Sequence, residues 1–227
     1  MSNQDIFSNS DQIVKRTYKD QAYNLIKNAI LYNKFRIGAT YSQQEICDEL
    51  GISRTPVREA LLELQKEGYV SFARGKGVEV VPVTDETAHD ILETRLILEG
   101  INAKIAAERR TDEDIKYIYS CLGELKKNLS TFDGQALYRI DHQFHRSIAR
   151  ATHNKILYNQ TELILDNYLR FENKSVYNNS IDGNNVFKEH EMIANAINEG
   201  NSDKSKKLME NHLKESYSRT LNRFWEY

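Results

Sequence analysis

The segment GISRTPVREALLELQKEGYV, residues 51–70, decides the fold of the first part of the chain. Its opening Gly-Ile-Ser fits a tight turn, and Ser53 can cap the helix that follows, with Pro56 tolerated in the first helical turn. The apolar side chains of that helix share one face: Val57, Ala60, Leu61 and Leu64. The segment therefore predicts a turn followed by a helix that ends at Gly68.

Upstream of this segment, the sequence predicts two more helices. Apolar residues at helical spacing indicate a helix over residues 17–32. The tetrapeptide SQQE, residues 42–45, has the pattern of a capping box, which opens a second helix reaching about Leu50. The backbone amides at the start of that helix, near Ser42, also suit a phosphate group.

Downstream, the sequence predicts a β-hairpin. Residues 69–73 and 78–83 are rich in β-branched and aromatic residues, and they flank the basic tip RGKG, residues 74–77. Helix, turn, helix and basic hairpin together predict a winged helix-turn-helix over residues 15–83. Residues 1–14 are expected to form a mobile N-terminal arm.

Basic residues outside the predicted core of this unit indicate DNA binding. Arg54 and Arg58 share one helical face, with Thr55 beside them, near the start of the third helix. Arginine recognises guanine through two hydrogen bonds in the major groove, and recognition helices present their N-terminal residues to base edges. Arg74 and Lys76 at the hairpin tip can approach phosphates or the minor groove. The alternative is that the helical arginines are solvated charges, but the ordered set of motifs disfavours it.

The stretch from Tyr18 to Val83 resembles the DNA-binding domain of the GntR family of bacterial transcription regulators. Residues 51–70 agree with the signature of that family nearly residue for residue, and the resemblance implies that Arg54, Thr55 and Arg58 contact DNA, with Gly75 at the wing tip. Gln44 stands where the family often has an arginine, so operator preference can differ. The candidate DNA contacts are Ser42, Gln44, Arg54, Thr55, Arg58, Arg74, Gly75 and Lys76.

From residue 83 to the end, the chain has no proline and its apolar residues recur at helical spacing. The pattern predicts six helices, over residues 84–107, 111–128, 133–148, 154–169, 186–197 and 202–221, with a loop at 175–184. Short connections favour an antiparallel bundle over residues 84–227. The predicted fold class is mainly α, a winged helix-turn-helix followed by an all-helical bundle.

Four ionisable residues interrupt the apolar helix faces: Asp141, His145, His190 and His212. The first two are four residues apart on one helix. The last two fall at nearly the same level of a helical hairpin, because about nine residues lead to its turn and about eleven lead back. Buried ionisable groups need partners. Three imidazoles and one carboxylate suit zinc, nickel, iron or manganese, and imidazole favours the first three.

Other interpretations of these polar residues stay open. Each histidine can be an ordinary hydrogen-bonded core residue, and Asp141 can pair with Arg139 or Arg146. The remaining histidines, His89, His142 and His153, are predicted to have no functional role. For His142 the reason is its direction, about 100° around the helix from Asp141. Glu189 and Glu191 are predicted to point away from the histidine that they flank.

Residues 85–217 are similar to the FCD effector domain of the FadR-type branch of GntR regulators. The matching pieces are DHQFHRSIARATHNKIL, EHEMIANAINEG and MENHL, which begin at residues 141, 189 and 209. The resemblance implies that the Asp-His-His-His quartet binds a divalent metal, most simply zinc. It also implies an effector contact near Arg95, although Arg95 and Glu99 can instead form a surface ion pair. The branch that binds acyl-coenzyme A lacks the quartet, so a fatty-acyl ligand is not expected.

Composition limits the class of protein. The chain has 227 residues, a formal net charge of −2 and two cysteines. It contains no apolar run long enough for a membrane span, no signal-peptide core and no disulfide framework, so a cytoplasmic protein is expected.

The sequence therefore predicts a regulator and not an enzyme. The expected protein is a homodimeric repressor that binds double-stranded operator DNA, a divalent metal and a small carboxylate effector such as a hydroxy acid or sugar acid. One alternative is a metal-dependent enzyme of small organic acids with an accessory DNA-binding domain, but HExxH, GxSxG and phosphate-loop motifs are absent. Another is a dimerisation module with a purely structural metal.

Overall fold

A computed structural model describes residues 17–32, 34–73, 77–129, 134–172 and 183–224. The chain divides into two compact units, Met1–Pro82 and Val83–Tyr227. The first unit combines helices with a small sheet, and the described elements of the second are all helices. The predicted fold class is confirmed.

The first unit has the elements of a winged helix-turn-helix. In chain order they are α1 (Tyr18–Leu31), β1 (Thr40–Tyr41), α2 (Gln43–Leu50), α3 (Arg54–Lys66), β2 (Val70–Ala73) and β3 (Gly77–Val80). The strands form an antiparallel sheet in the order β1-β3-β2, with Thr40 opposite Glu79 and Phe72 opposite Val78. β1 was not predicted from the sequence, because a strand of two residues is too short to show an alternating pattern.

Capping explains where the helices of the first unit begin and end. Ser42 Oγ accepts a hydrogen bond from the backbone N–H of Glu45, and the carboxylate of Glu45 accepts one from the backbone N–H of Ser42. The predicted capping box is therefore confirmed. Gly51 ends α2 with a left-handed φ of 64°. Ser53 occupies the cap position of α3, but the predicted side-chain cap bond is absent. Pro56 at the third helical position has no N–H to donate to it.

Six helices make up the described part of the second unit. They are α4 (Asp85–Arg109), α5 (Asp112–Asn128), α6 (Gly134–Ala151), α7 (Lys155–Glu172), α8 (Gly183–Asn198) and α9 (Ser202–Phe224). Thr84, Thr111 and Asn154 cap three of them, and each is the first residue of a predicted helix range. The predicted start at Asp133 and most of the predicted loop at 175–184 lie outside the described residues, and the end of that loop belongs to α8.

Helix α4 lies at the centre of the second unit and packs against α6, α7, α8 and α9. The surrounding core is made of buried apolar residues such as Ala103, Phe144 and Ile193. A Cβ at Gly100 would lie 3.1 Å from Cγ of Glu210, so this glycine permits a close approach of α9. No helix in the described ranges has the length and hydropathy needed to cross a membrane.

Candidate metal centre and nucleic-acid interface

Helices α6, α8 and α9 bring together the four residues that the sequence singled out: Asp141, His145, His190 and His212. One ligand atom of each lies within 4.8 Å of every other. His190 Nε2 is 3.2 Å from His212 Nε2 and 3.4 Å from an oxygen of Asp141. Four ligands at a Zn–N distance of about 2.0–2.1 Å form a tetrahedron with edges of roughly 3.3 Å. The two distances from His190 Nε2, 3.2 and 3.4 Å, are close to that edge.

The burial of the quartet also suits a metal. The three imidazoles are buried, and Asp141 is partly exposed. Nε2 of His145 is buried and has no hydrogen-bond partner among the described residues. A buried polar atom in that state costs about 1–3 kcal/mol, which a metal bond at Nε2 would offset. Arg146 bonds Glu162 and Asp166, so it does not neutralise the aspartate of the quartet.

Two carboxylates orient the imidazoles from outside the quartet. Glu99 on α4 is hydrogen-bonded to Nδ1 of His145, and Glu189 on α8 bonds Nδ1 of His212 at 2.6 Å. With Nδ1 donating to a carboxylate, each ring turns the lone pair of Nε2 towards the quartet, as is usual for metal-binding histidines. Neither glutamate was predicted from the sequence to belong to the site, because each reaches a histidine on a different helix.

Arg95 and Glu99 form a buried ion pair rather than the surface pair considered from the sequence. Each is only 1 % exposed, and the guanidinium of Arg95 lies 4.1 Å from the ring centre of Tyr168. Burial acts to raise the pKa of Glu99, but the charge of Arg95 and the hydrogen bonds from Arg95 and His145 outweigh it and hold that pKa below its usual range. The sequence could have indicated this burial, since Arg95 and Glu99 continue the buried face of α4 that includes Leu92 and Ala103.

His142, for which the sequence predicted no functional role, is buried. Its exposed fraction is 1 %, and its ring contacts those of Tyr138 and Tyr168. Burial, followed by the nearby charge of Arg95, lowers its pKa well below the ordinary value. His153 has a structural role, because its Nε2 bonds Asp114 at 2.8 Å.

The exposed face of the first unit holds the candidate DNA contacts. Arg54, Thr55 and Arg58 are exposed on α3, opposite its buried stripe. Nε and Nη2 of Arg54 donate to the side-chain oxygen of Gln44 at 2.9 and 2.6 Å, and Gln44 in turn donates to Asp48. Gln44, which stands where the family often has an arginine, therefore occupies the Nε and Nη2 edge of the Arg54 guanidinium.

The backbone N–H of Ser42, considered as a phosphate donor, already donates to the carboxylate of Glu45 at 2.8 Å. The wing-tip residues Arg74, Gly75 and Lys76 lie outside the described residues.

Comparisons with known proteins agree with this architecture. A family model described as "FCD domain" matches residues 90–215, more than half of the chain, and one described as "Bacterial regulatory proteins, gntR family" matches residues 18–80. The chain is 29% identical over 228 residues to the Uxu operon regulator of Haemophilus influenzae, covering 93% of this chain and 84% of the relative. It is 26% identical over 198 residues to the Glc operon transcriptional activator of Escherichia coli strain K12, covering 76% of each.

A solved structure shows the same fold. E. coli McbR/YncC superposes with a TM-score of 0.81 at 19% identity, covering 92% of this chain and 99% of that one. The relatives are transcription regulators, so the prediction that this chain is not an enzyme is confirmed. The first unit is a DNA-binding domain, and the second is of the kind that binds a small-molecule effector. The chain belongs to the GntR family of bacterial transcription regulators, in the branch that carries an FCD domain.

Proposed function

We propose that this protein is a cytoplasmic repressor whose DNA binding responds to a small carboxylate held at a divalent metal. The observation that carries the proposal is the buried quartet of three histidines and one aspartate, with its ligand atoms within 4.8 Å of one another. A site of this kind is chemically suited to an oxygen ligand, since a bound metal acts as a Lewis acid towards a carboxylate.

The residues proposed to hold the metal are Asp141, His145, His190 and His212. Three nitrogen donors favour zinc, nickel or iron over manganese, and four protein ligands suit zinc best. Burial lowers the pKa of His212, which keeps that imidazole neutral and able to bind a metal. Glu99 and Glu189 hold two of the rings in the orientation that this requires.

The proposed effector is a small hydroxy acid or sugar acid. Arg95 is its proposed second anchor, because Glu99 links this arginine directly to His145 of the quartet. Among the described residues, Arg95 makes a hydrogen bond through Nε only, so the donors at the end of the guanidinium suit an additional carboxylate or hydroxyl.

On DNA, we propose that a homodimer occupies a pseudo-palindromic operator. One short recognition helix contacts too few base pairs for specificity in a genome, and two-fold symmetry doubles that number. Arg54, Thr55 and Arg58 would contact bases or phosphates in each half-site. Gln44, the start of α2 at Ser42, and the wing-tip residues Arg74, Gly75 and Lys76 would complete the interface.

The two activities are proposed to be coupled through α4. This helix carries Arg95 and Glu99, and it begins at Asp85, directly after the boundary between the two units. A displacement of α4 on effector binding would pass along the chain to the DNA-binding unit. Effector and operator must then change each other's affinity equally, typically by about 1–3 kcal/mol.

The test is operator affinity with and without lactate, malate or gluconate, in zinc-loaded wild type and in Asp141→Ala. The variant is expected to bind the operator nearly as wild type does and to lose the effector response. Asp203→Ala, at an exposed aspartate of α9, is the matched control and should keep the response. An equal response in Asp141→Ala and wild type would show that the quartet is not the sensor.

Metal content is tested separately, by elemental analysis of protein purified without a histidine tag. His190→Ala is expected to lose metal and to unfold at a lower temperature, since a bound metal stabilises the folded state by mass action. His89→Ala, at an exposed histidine, is the control. Full occupancy in an Asp141/His190 double variant would end the metal proposal.

A further inference from the structure

We propose that His142 is an additional effector-binding residue, and that its Nε2 hydrogen-bonds a hydroxyl or keto oxygen of the acid. The inference rests on the proposed function and deepens it, because it names the part of the effector that is recognised apart from its carboxylate.

The first observation is an unsatisfied nitrogen. His142 is 1 % exposed, and its Nε2 has no hydrogen-bond partner among the described residues. Buried polar atoms in folded proteins almost always have a partner, so such a nitrogen indicates a bound water or ligand. Its aromatic neighbours, Tyr138 and Tyr168, meet the ring of His142 at centroid distances of 6.5 and 6.0 Å.

The second observation is where this nitrogen lies. His142 precedes His145 of the quartet by three residues on α6, so the two side chains leave the helix only about 60° apart. The Tyr168 ring that contacts His142 also lies against the guanidinium of Arg95, at 4.1 Å. His142 therefore lies beside both groups that are proposed to anchor the acid.

The chemistry of an imidazole fits an oxygen that carries no charge. A histidine nitrogen can donate a hydrogen bond to a hydroxyl or keto oxygen, or accept one from a hydroxyl. A site that contains a buried polar group rejects analogues that cannot bond to it, because the group is then left unsatisfied. We therefore expect the protein to prefer a hydroxylated acid over its deoxy counterpart by roughly 5- to 150-fold.

The test uses pairs of acids that differ in their hydroxyl groups: propionate and lactate, succinate and malate, hexanoate and gluconate. Titration calorimetry on zinc-loaded wild type is expected to show tighter binding of the hydroxylated acid in at least one pair. His142→Phe keeps an aromatic ring of similar size and removes both nitrogens. This variant should lose the preference while keeping its zinc content and its affinity for the deoxy acid. His89→Phe is the matched control and should behave as wild type.

The possible outcomes separate the two proposals. An unchanged preference in His142→Phe would overturn the role of His142, assign its nitrogen to a structural water, and leave the carboxylate site intact. Failure of every acid to bind zinc-loaded wild type would overturn both. If the variant does not fold, nitrogen NMR of the wild-type imidazoles replaces it. The Nε2 resonance of His142 should then move with the hydroxylated acid only, and an unmoved resonance overturns the inference.

Discussion

The two units of this protein place their charges in opposite ways. In the described part of the first unit, no charged side chain or histidine is buried, and its ion pairs, such as Lys19 with Glu63, are partly exposed. The second unit buries a whole set of them: Arg95, Glu99, Asp114, His142, His145, Arg170, His190 and His212. Both units nevertheless have ordinary apolar cores.

The difference follows from what each unit contacts. DNA is a large polyanion that meets a protein at its surface, so the first unit needs exposed cations and a rigid apolar core behind them. A small-molecule effector can be enclosed, and enclosure strengthens each charge interaction because water is excluded. Moving a charge from water into the interior costs free energy, so every buried charge needs a partner. The following predictions test this contrast, from the largest expected effect to the smallest.

The largest effect is expected at the buried ion pair. In metal-stripped protein, Glu99→Ala should lower the free energy of unfolding by roughly 3–5 kcal/mol, because it leaves Arg95 charged and buried without its partner. Urea unfolding followed by circular dichroism measures this. Asp203→Ala removes the exposed partner of Lys104 and should leave the unfolding curve nearly unchanged. Similar shifts in both variants would contradict the contrast between interior and surface charges.

The next effect is expected on DNA. Arg58→Ala should weaken operator binding by about 1–3 kcal/mol and relax base preference at one position in each half-site. Its folding should be unaffected, because Arg58 lies on the exposed face of α3. Fluorescence anisotropy at fixed salt measures the affinity. Arg139→Ala, at an exposed arginine of the second unit, serves as the control. An unchanged footprint and affinity in Arg58→Ala would exclude the proposed docking of α3.

Mild acid should distinguish the units as well. The pKa values of His142 and His212 are lowered, chiefly by burial. As the pH falls from about 7 to about 5.5, these histidines take up more protons in the unfolded chain than in the folded one. The metal-stripped protein should then lose about 1 kcal/mol of stability for His142, and less for His212, whose pKa is lowered to a smaller extent. Carboxylates with lowered pKa values, such as Glu99, reduce the stability of the protein only at more acidic pH.

The pH prediction is checked by urea unfolding at both pH values, in wild type and in His142→Phe. The variant should lose less stability on acidification, since it has one fewer histidine to protonate on unfolding. Equal losses in the two proteins would mean that His142 is protonated in the folded state too.

The smallest effect is expected at Gln44. Gln44→Ala frees the edge of Arg54 that Gln44 now engages, so it should alter base preference while changing operator affinity by less than about 1 kcal/mol. Gln44→Arg should instead increase the salt dependence of binding by about one phosphate contact. Selection of operators from random DNA, together with a salt titration, measures both effects. Identical selected sites for wild type and Gln44→Ala would remove Gln44 from the specificity of this protein.

The elements that depend on local interactions could be predicted from the amino-acid sequence. Capping residues such as Ser42, Thr84 and Thr111 act within one helical turn, so their effect can be recognised from spacing alone. The apolar periodicity likewise identified the six helices of the second unit. The quartet was also predictable, because Asp141 and His145 lie one turn apart and the other two histidines flank a tight hairpin.

The contacts that join distant residues, in contrast, become apparent only in the folded chain. Glu99 meets His145 across 46 positions of sequence, and Glu189 meets His212 across 23. Helical spacing says which way a side chain points from its own axis, but not which helix lies opposite. For that reason His142 could be placed 100° from Asp141 and still be enclosed, since α4 and α7 cover that side of α6. Burial depends on all the neighbouring helices together, and it sets the charge states and unsatisfied atoms on which the proposed sensing depends.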